Sequence, residues 1–160
     1  INSFRSMAKR KSKFDNKFKS ESSHDKRKEN IKTERKVSDD LPKLSLNFKD
    51  FDLNQCPPGQ TFSQWQEDGR LSELMEKFVS ICAYNRIEAE QRKLLKIYGK
   101  FPSNSDFSIP SYIVGDVEWG TIQRIGGQKP RLAGYIIESI FYPVFLDKDH
   151  RFFPSSKKHK

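Results

Sequence analysis

Of the three histidines in the chain, only His150 stands among other groups able to do chemistry, in the run LDKDHRF. An imidazole there titrates near neutrality and can take or give a proton. Arg131 opens the run RLAGYII, Lys129 lies two residues before it, Arg124 lies in the preceding run, and Arg151 follows His150 directly. These cations suit the holding of a phosphate, which a guanidinium matches bidentately. Each has an ordinary alternative, since a histidine at a strand end is often an exposed or capping residue and alternating charges often mark a solvated sheet face. Asp147 and Asp149 shortly precede His150 in sequence and are expected to raise its pKa, favouring a protonated, general-acid form. His24 and His159 have no constellation around them. Cys56 and Cys82 match no metal-ligand spacing and make no disulfide framework, so they read as free thiols in a reducing compartment, and no metal or cofactor is called for. GGQ at 126–128 is a turn, because a phosphate-cradling loop would need a helix after it.

Positioning these groups falls to the elements around them. In LPKLSLNFKDFD, Leu44, Leu46 and Phe48 alternate with Ser45, Asn47 and Lys49, the period of a half-buried strand. CPPG at 56–59 stops it, and Thr61 with Gln64 has the form of a capping box. Leu71, Leu74, Met75, Phe78, Ile81 and Cys82 then recur at helical spacing, predicting a helix over roughly 62–84. Asn85 with Glu88 repeats the cap, and Ile87, Gln91, Leu94, Leu95 and Tyr98 continue a helical stripe to Gly99, with Pro102 beyond. The two helices should form a hairpin. From Val117 the period changes: VEWGTIQRI, RLAGYII and IFYPVFL are β-branched and aromatic runs broken at Gly126-Gly127 and Glu138-Ser139, which predicts a three-stranded antiparallel meander. The order β-α-α-β-β-β makes an α+β domain over 41–154, with the helices on one face of the sheet and the other face open to a ligand. Most of Trp119, Tyr135, Phe141, Tyr142 and Phe145 should face the helices, while Trp119, Phe152 and Phe153 are the candidates for base stacking.

WGTIQRI, RLAGYII and IFYPVFLDKDH, closing on a histidine in that element order, resemble the RelE/HigB/YoeB superfamily of bacterial toxins. The resemblance covers roughly Leu44 to Phe153, with the motifs confined to the residues from Val117 onward. It implies a small ribonuclease, in most members cleaving mRNA in the ribosomal A site and restrained by a co-expressed antitoxin. The arginine that opens the family's third strand falls on Arg131, and its late histidine on His150. Where several members carry a hydroxyl-bearing aromatic after that histidine, this chain has Arg151, Phe152 and Phe153. The Glu or Lys that some members use as a base has Asp116, Glu118 or Arg124 as counterparts. Metal-free RNA cleavage needs a base for the 2′-OH, an acid for the leaving 5′-oxygen and fixed positive charge on the phosphorane. His150 suits either proton role and Arg131 the charge role.

Charge is unevenly placed along the 160 residues, whose formal net charge is +9. Residues 1–40 hold thirteen Lys or Arg against seven Asp or Glu and residues 151–160 add four more basic residues, so the stretch between them is close to neutral. The first forty residues are expected to be a disordered basic arm that either aids solubility or touches phosphate, with Phe14 and Phe18 as its only hint of a docking face. Ile1 to Ser6 read as an addition ahead of Met7, and 155–160 as a basic C-terminal tail. No membrane span or secretory signal is expected, which places the protein in the cytoplasm. The sequence thus points to a toxin-type endoribonuclease with mRNA, the ribosome and an antitoxin as partners. The alternative is a non-catalytic member that binds RNA, the ribosome or a protein through the same sheet. A DNA-binding regulator fits poorly, because Glu88 and Glu90 open the second helix where a groove would be met.

Overall fold

The computed structural model describes residues 25–31 and 41–155. Residues 25–31 are helical with every side chain exposed, and they belong to a unit, Ile1–Val37, separate from Ser38–Lys160. The rest of the expected arm and the last five residues lie outside the described residues.

In the second unit the order is β1 (Ser45–Leu46), α1 (Phe62–Glu67), α2 (Leu71–Ile81), α3 (Arg86–Gln91), β2 (Leu95–Gly99), β3 (Glu118–Ile122), β4 (Arg131–Ile137) and β5 (Ile140–Asp147). The sheet runs β1-β5-β4-β3-β2. Strands β2 to β5 form an antiparallel meander and β1 joins its far edge parallel to β5, so the fold is α+β with a mixed five-stranded sheet.

The structure departs from the sequence expectations at both helices, in the number of strands and in the length of the first strand. The helix read over 62–84 is two helices, because Gly69 takes the left-handed conformation (φ 70°) at the end of α1 and lets the Arg70 N–H reach back to the Trp65 carbonyl at 2.7 Å. That is a Schellman stop. The helix read as running from Asn85 to Tyr98 ends at Gln91 by the same device, with Lys93 at φ 57° and the Leu94 N–H on the Ala89 carbonyl at 2.9 Å. Residues 95–99 then become β2, so the meander has four strands rather than three. Leu94, Leu95 and Tyr98 satisfy a helical stripe, but once the helix stops, the alternation of buried Leu95 with exposed Lys96 suits an edge strand. The first strand is shorter than its alternating pattern, since the chain turns away at Lys49-Asp50.

Both capping boxes are present: the Thr61 and Asn85 side chains accept from the N–H groups of Gln64 and Glu88, whose own side chains accept from the cap N–H groups. Asn85 is fully buried. Asn85→Ala leaves a buried helix end without its partner and should cost about 1–2 kcal/mol, measured by chemical unfolding, whereas Thr61→Ala, at a half-buried cap, should cost about 1 kcal/mol or less.

The helices cover one sheet face, where Trp65, Leu74, Ile81 and Ala89 pack on Ile122, Leu132, Ile136, Phe141 and Leu146. The opposite face is not open. Phe107 from the β2–β3 connection and Phe152 from beyond β5 pack over Trp119, Ala133, Tyr135, Val144 and Phe145, with Tyr98, Phe101, Ile113, Val117, Tyr142 and Phe153 around them. Of the sheet aromatics, most of which were expected to face the helices, Phe141 does so, whereas Tyr135, Tyr142 and Phe145 lie on this second face together with Trp119, the one of the five set apart as an exception. A register irregularity at Ala133/Gly134 sits opposite Pro143, which has no N–H to give the ladder. Gly134 is required there, because a Cβ would collide with the Tyr142 carbonyl.

Candidate functional site

Lys96 on β2 is opposite Thr121 on β3, which is opposite Ala133 on β4, and Arg131 begins β4 opposite Asp147 at the end of β5. Residues two apart on a strand share a face. Ala133 packs in the second core, so Arg131 lies on that face, at the rim where β2 starts and β5 ends.

Arg131 is 9% exposed. Its Nε donates to the Lys129 carbonyl at 3.0 Å and its Nη2 to the Gln128 carbonyl at 3.1 Å, and among the described residues none accepts from Nη1. Although Asp147 is its neighbour in register, the two form no ion pair. The Asp147 carboxylate is turned to the main chain instead: the Arg151 N–H donates to Oδ1 at 2.8 Å and the Phe152 N–H to Oδ2 at 2.9 Å. This bracket folds residues 147–152 into a turn with His150 in the left-handed conformation, φ 63°.

The half-buried His150 ring is therefore set among cations. Burial, then the charges of Arg131, Lys96 and Lys129, hold its pKa below the ordinary histidine value. This corrects the sequence expectation of a raised pKa. Asp147, near in sequence, faces main-chain amides, whereas Lys96 and Arg131, remote in sequence, bring positive charge to the ring. At neutral pH the imidazole is unprotonated and able to act as a base.

Of the other residues singled out, Lys129 joins this group, exposed beside it. Arg124 does not: it sits at φ 61° and is exposed, and its charge falls on Lys77 of α2, whose pKa is lowered by burial first and by Arg124 second. Arg151 points to Asp106, with Nε 2.7 Å from Oδ2. Trp119 and Phe152 are buried in the second core, 3% and 0% exposed, and offer no ring to a base. Phe153 is half-buried and stacked on Tyr98, centroids 4.5 Å apart. Glu118 is held by Arg86, and Asp116 is exposed.

Sequence reasoning missed Lys96 and Tyr98. The Lys96 ammonium lies 5.0 Å from the Tyr98 ring and 5.8 Å from that of Phe153, and the Tyr98 hydroxyl lies 3.4 Å from Thr121 Oγ1. The signal available was the polar-apolar alternation of LKIYG, hidden by the helical reading. Arg70 was also missed. It lines, with Lys129, Lys148 and Asp149, a depression of about 320 Å³ beside the turn, and its Nε is buried without a partner.

What the rim can do follows from its parts. A guanidinium with an open Nη1 and two ammonium groups can hold a phosphodiester, and a neutral imidazole among them can remove a proton from a hydroxyl beside that phosphate. Both thiols are pushed up by burial, with Asp52 adding to the effect at Cys56, so neither is a nucleophile at neutral pH. No group of His, Cys, Asp and Glu able to hold a metal ion is found among the described residues, and no described helix is long and apolar enough to cross a membrane. No known protein family, curated protein or solved structure matches the chain.

Proposed function

We propose that the protein is a metal-free endoribonuclease of the RelE kind, the toxin of a toxin-antitoxin pair, acting on mRNA at the ribosome. The observation that carries this reading is the half-buried His150, whose pKa is lowered first by burial and then by the charges of Arg131, Lys96 and Lys129. Arg131 holds the scissile phosphate with its open Nη1 and stabilises charge as the phosphorane forms. His150 takes the 2′-OH proton, and an ammonium group, Lys96 or Lys129, gives a proton to the leaving 5′-oxygen. The histidine that follows the last strand is what the sequence resemblance rests on, whereas the observed order β-α-α-α-β-β-β-β carries one helix and one strand more than the β-α-α-β-β-β it implied.

Cleavage of ribosome-bound mRNA should depend on pH in a specific sense. Because His150 acts in its neutral form, kcat/KM rises with pH through a midpoint below about 6.5, the ordinary histidine value, and is level through neutrality. A rate that falls as pH rises through that region would contradict the assignment. A 2′-deoxy nucleotide at the cleaved position should abolish the reaction.

The second reading is a non-catalytic binder. Its support is the absence of a hydroxyl-bearing aromatic after His150 and the commitment of Arg151 to Asp106. It predicts RNA or ribosome binding that weakens in Arg131→Ala, with no cleavage at any pH.

A further inference from the structure

We propose that Asp147 is a positioning residue for His150: its buried carboxylate folds the 147–152 turn that presents the imidazole to Lys96, Lys129 and Arg131, and it leaves Arg131 free for a phosphate. The inference rests on the reading of His150 and Arg131 given above. Asp147 is 0% exposed, in direct register with Arg131, and yet makes no ion pair with it. Both carboxylate oxygens are taken by main-chain N–H groups, those of Arg151 and Phe152, which lie on the far side of His150. A buried carboxylate beside an arginine would ordinarily pair with it. Here the pairing is replaced by a backbone bracket, and the guanidinium keeps its Nη1 open.

The bracket acts on a short span. Upstream, β5 fixes Asp147 in the sheet. Downstream, Phe152 is anchored in the second core, the Asp106 N–H donates to the Arg151 carbonyl at 3.1 Å, and Asn104 Nδ2 donates to the Pro154 carbonyl at 3.1 Å. Between these anchors lie Lys148, whose N–H donates to Gln60 Oε1 at 2.6 Å and whose Nζ is 2.7 Å from Asp68 Oδ2, then Asp149 and His150; of the three only His150 has a left-handed backbone, a conformation that non-glycine residues hold when their surroundings enforce it. Burial raises the Asp147 carboxyl above its usual range, against the opposing pull of the two amides and of Arg131.

The test follows the His150 Hε1 resonance of the full chain by NMR across the acid to neutral range, assigned by its loss in His150→Ala. In the unaltered protein its midpoint should fall below the ordinary histidine value of about 6.5. Two effects of Asp147→Asn oppose each other in sign. Removing a negative charge alone would push the midpoint lower, whereas releasing the ring from the cations raises it toward the ordinary value. A rise is the expected result, and a fall or no change overturns the proposal. Should Asp147→Asn fail to fold, the unaltered protein decides: the amide protons of Arg151 and Phe152 should shift together with a single carboxyl titration, and amides that do not co-titrate overturn it. In folded Asp147→Asn, kcat for RNA cleavage should drop about 10-fold or more with KM little changed, as expected when geometry at the reacting group is lost rather than binding. The NMR readouts need no RNA, so an unaltered protein that never cleaves refutes the ribonuclease reading while the turn is still judged by its resonances.

Discussion

Replacing His150 with alanine is expected to slow RNA cleavage by about 10²–10⁴-fold, the range that a positioned general base contributes. The expectation follows from its surroundings more than from its residue type. The ring is half-buried, burial and the cationic charges disfavour its protonated form, and in the proposed mechanism Arg131 holds the phosphate whose neighbouring hydroxyl the imidazole deprotonates. Because the residue occupies a left-handed backbone position, His150→Asn is the better companion variant: asparagine tolerates that conformation and has no basic nitrogen. Both variants should retain the unaltered protein's thermal midpoint within a few degrees and lose activity equally. RNA binding should persist in both, since Arg131, Lys129 and Lys96 remain. Activity retained in His150→Asn would remove the imidazole from the mechanism.

Phe152→Ala should have the largest effect on stability, about 3–5 kcal/mol, the range for truncating a fully buried phenylalanine. Its ring is 0% exposed and meets Tyr98, Phe101, Phe107, Trp119 and Phe145 at centroid distances between 5.3 and 6.3 Å. The same residue's N–H fastens the Asp147 carboxylate, so loss of the plug loosens the His150 turn as well. Phe153→Ala is a contrasting case. That ring is half-buried and stacked on Tyr98, and its removal should cost little more than 1 kcal/mol beyond the area it covers. Denaturant unfolding of the two variants separates them. Equal, small losses would mean that Phe152 is not the anchor of the second core.

How much of this was legible from the residues can be seen strand by strand. β3, β4 and β5 fall within VEWGTIQRI, RLAGYII and IFYPVFLDKDH because β-branched and aromatic runs bounded by Gly126-Gly127 and Glu138-Ser139 leave little choice of period. β2 was hidden, since Leu94, Leu95 and Tyr98 fit a helical stripe, and the left-handed stop at Lys93 has no glycine to announce it. That one misreading also removed Lys96 and Tyr98 from the candidate site. The covered second face was equally opaque, because it is made by Phe107 and Phe152, which lie outside any strand. His150, Arg131 and Lys129 were legible as residue types, and the charges of Arg131 and Lys129 act on the His150 imidazole. The environment of His150 was read with the wrong sign, because sequence distance counted Asp147 as a neighbour when its carboxylate is aimed at main-chain amides.

Whether the rim around His150 and Arg131 cleaves mRNA is decided by a cell-free translation reaction with the purified protein, new mRNA 5′ ends being mapped by primer extension, with His150→Asn and Arg131→Ala run alongside. Discrete cleavages that require ribosomes and disappear in both variants are the expected result. Intact mRNA with normal protein synthesis, or cleavage that survives both substitutions, would contradict it.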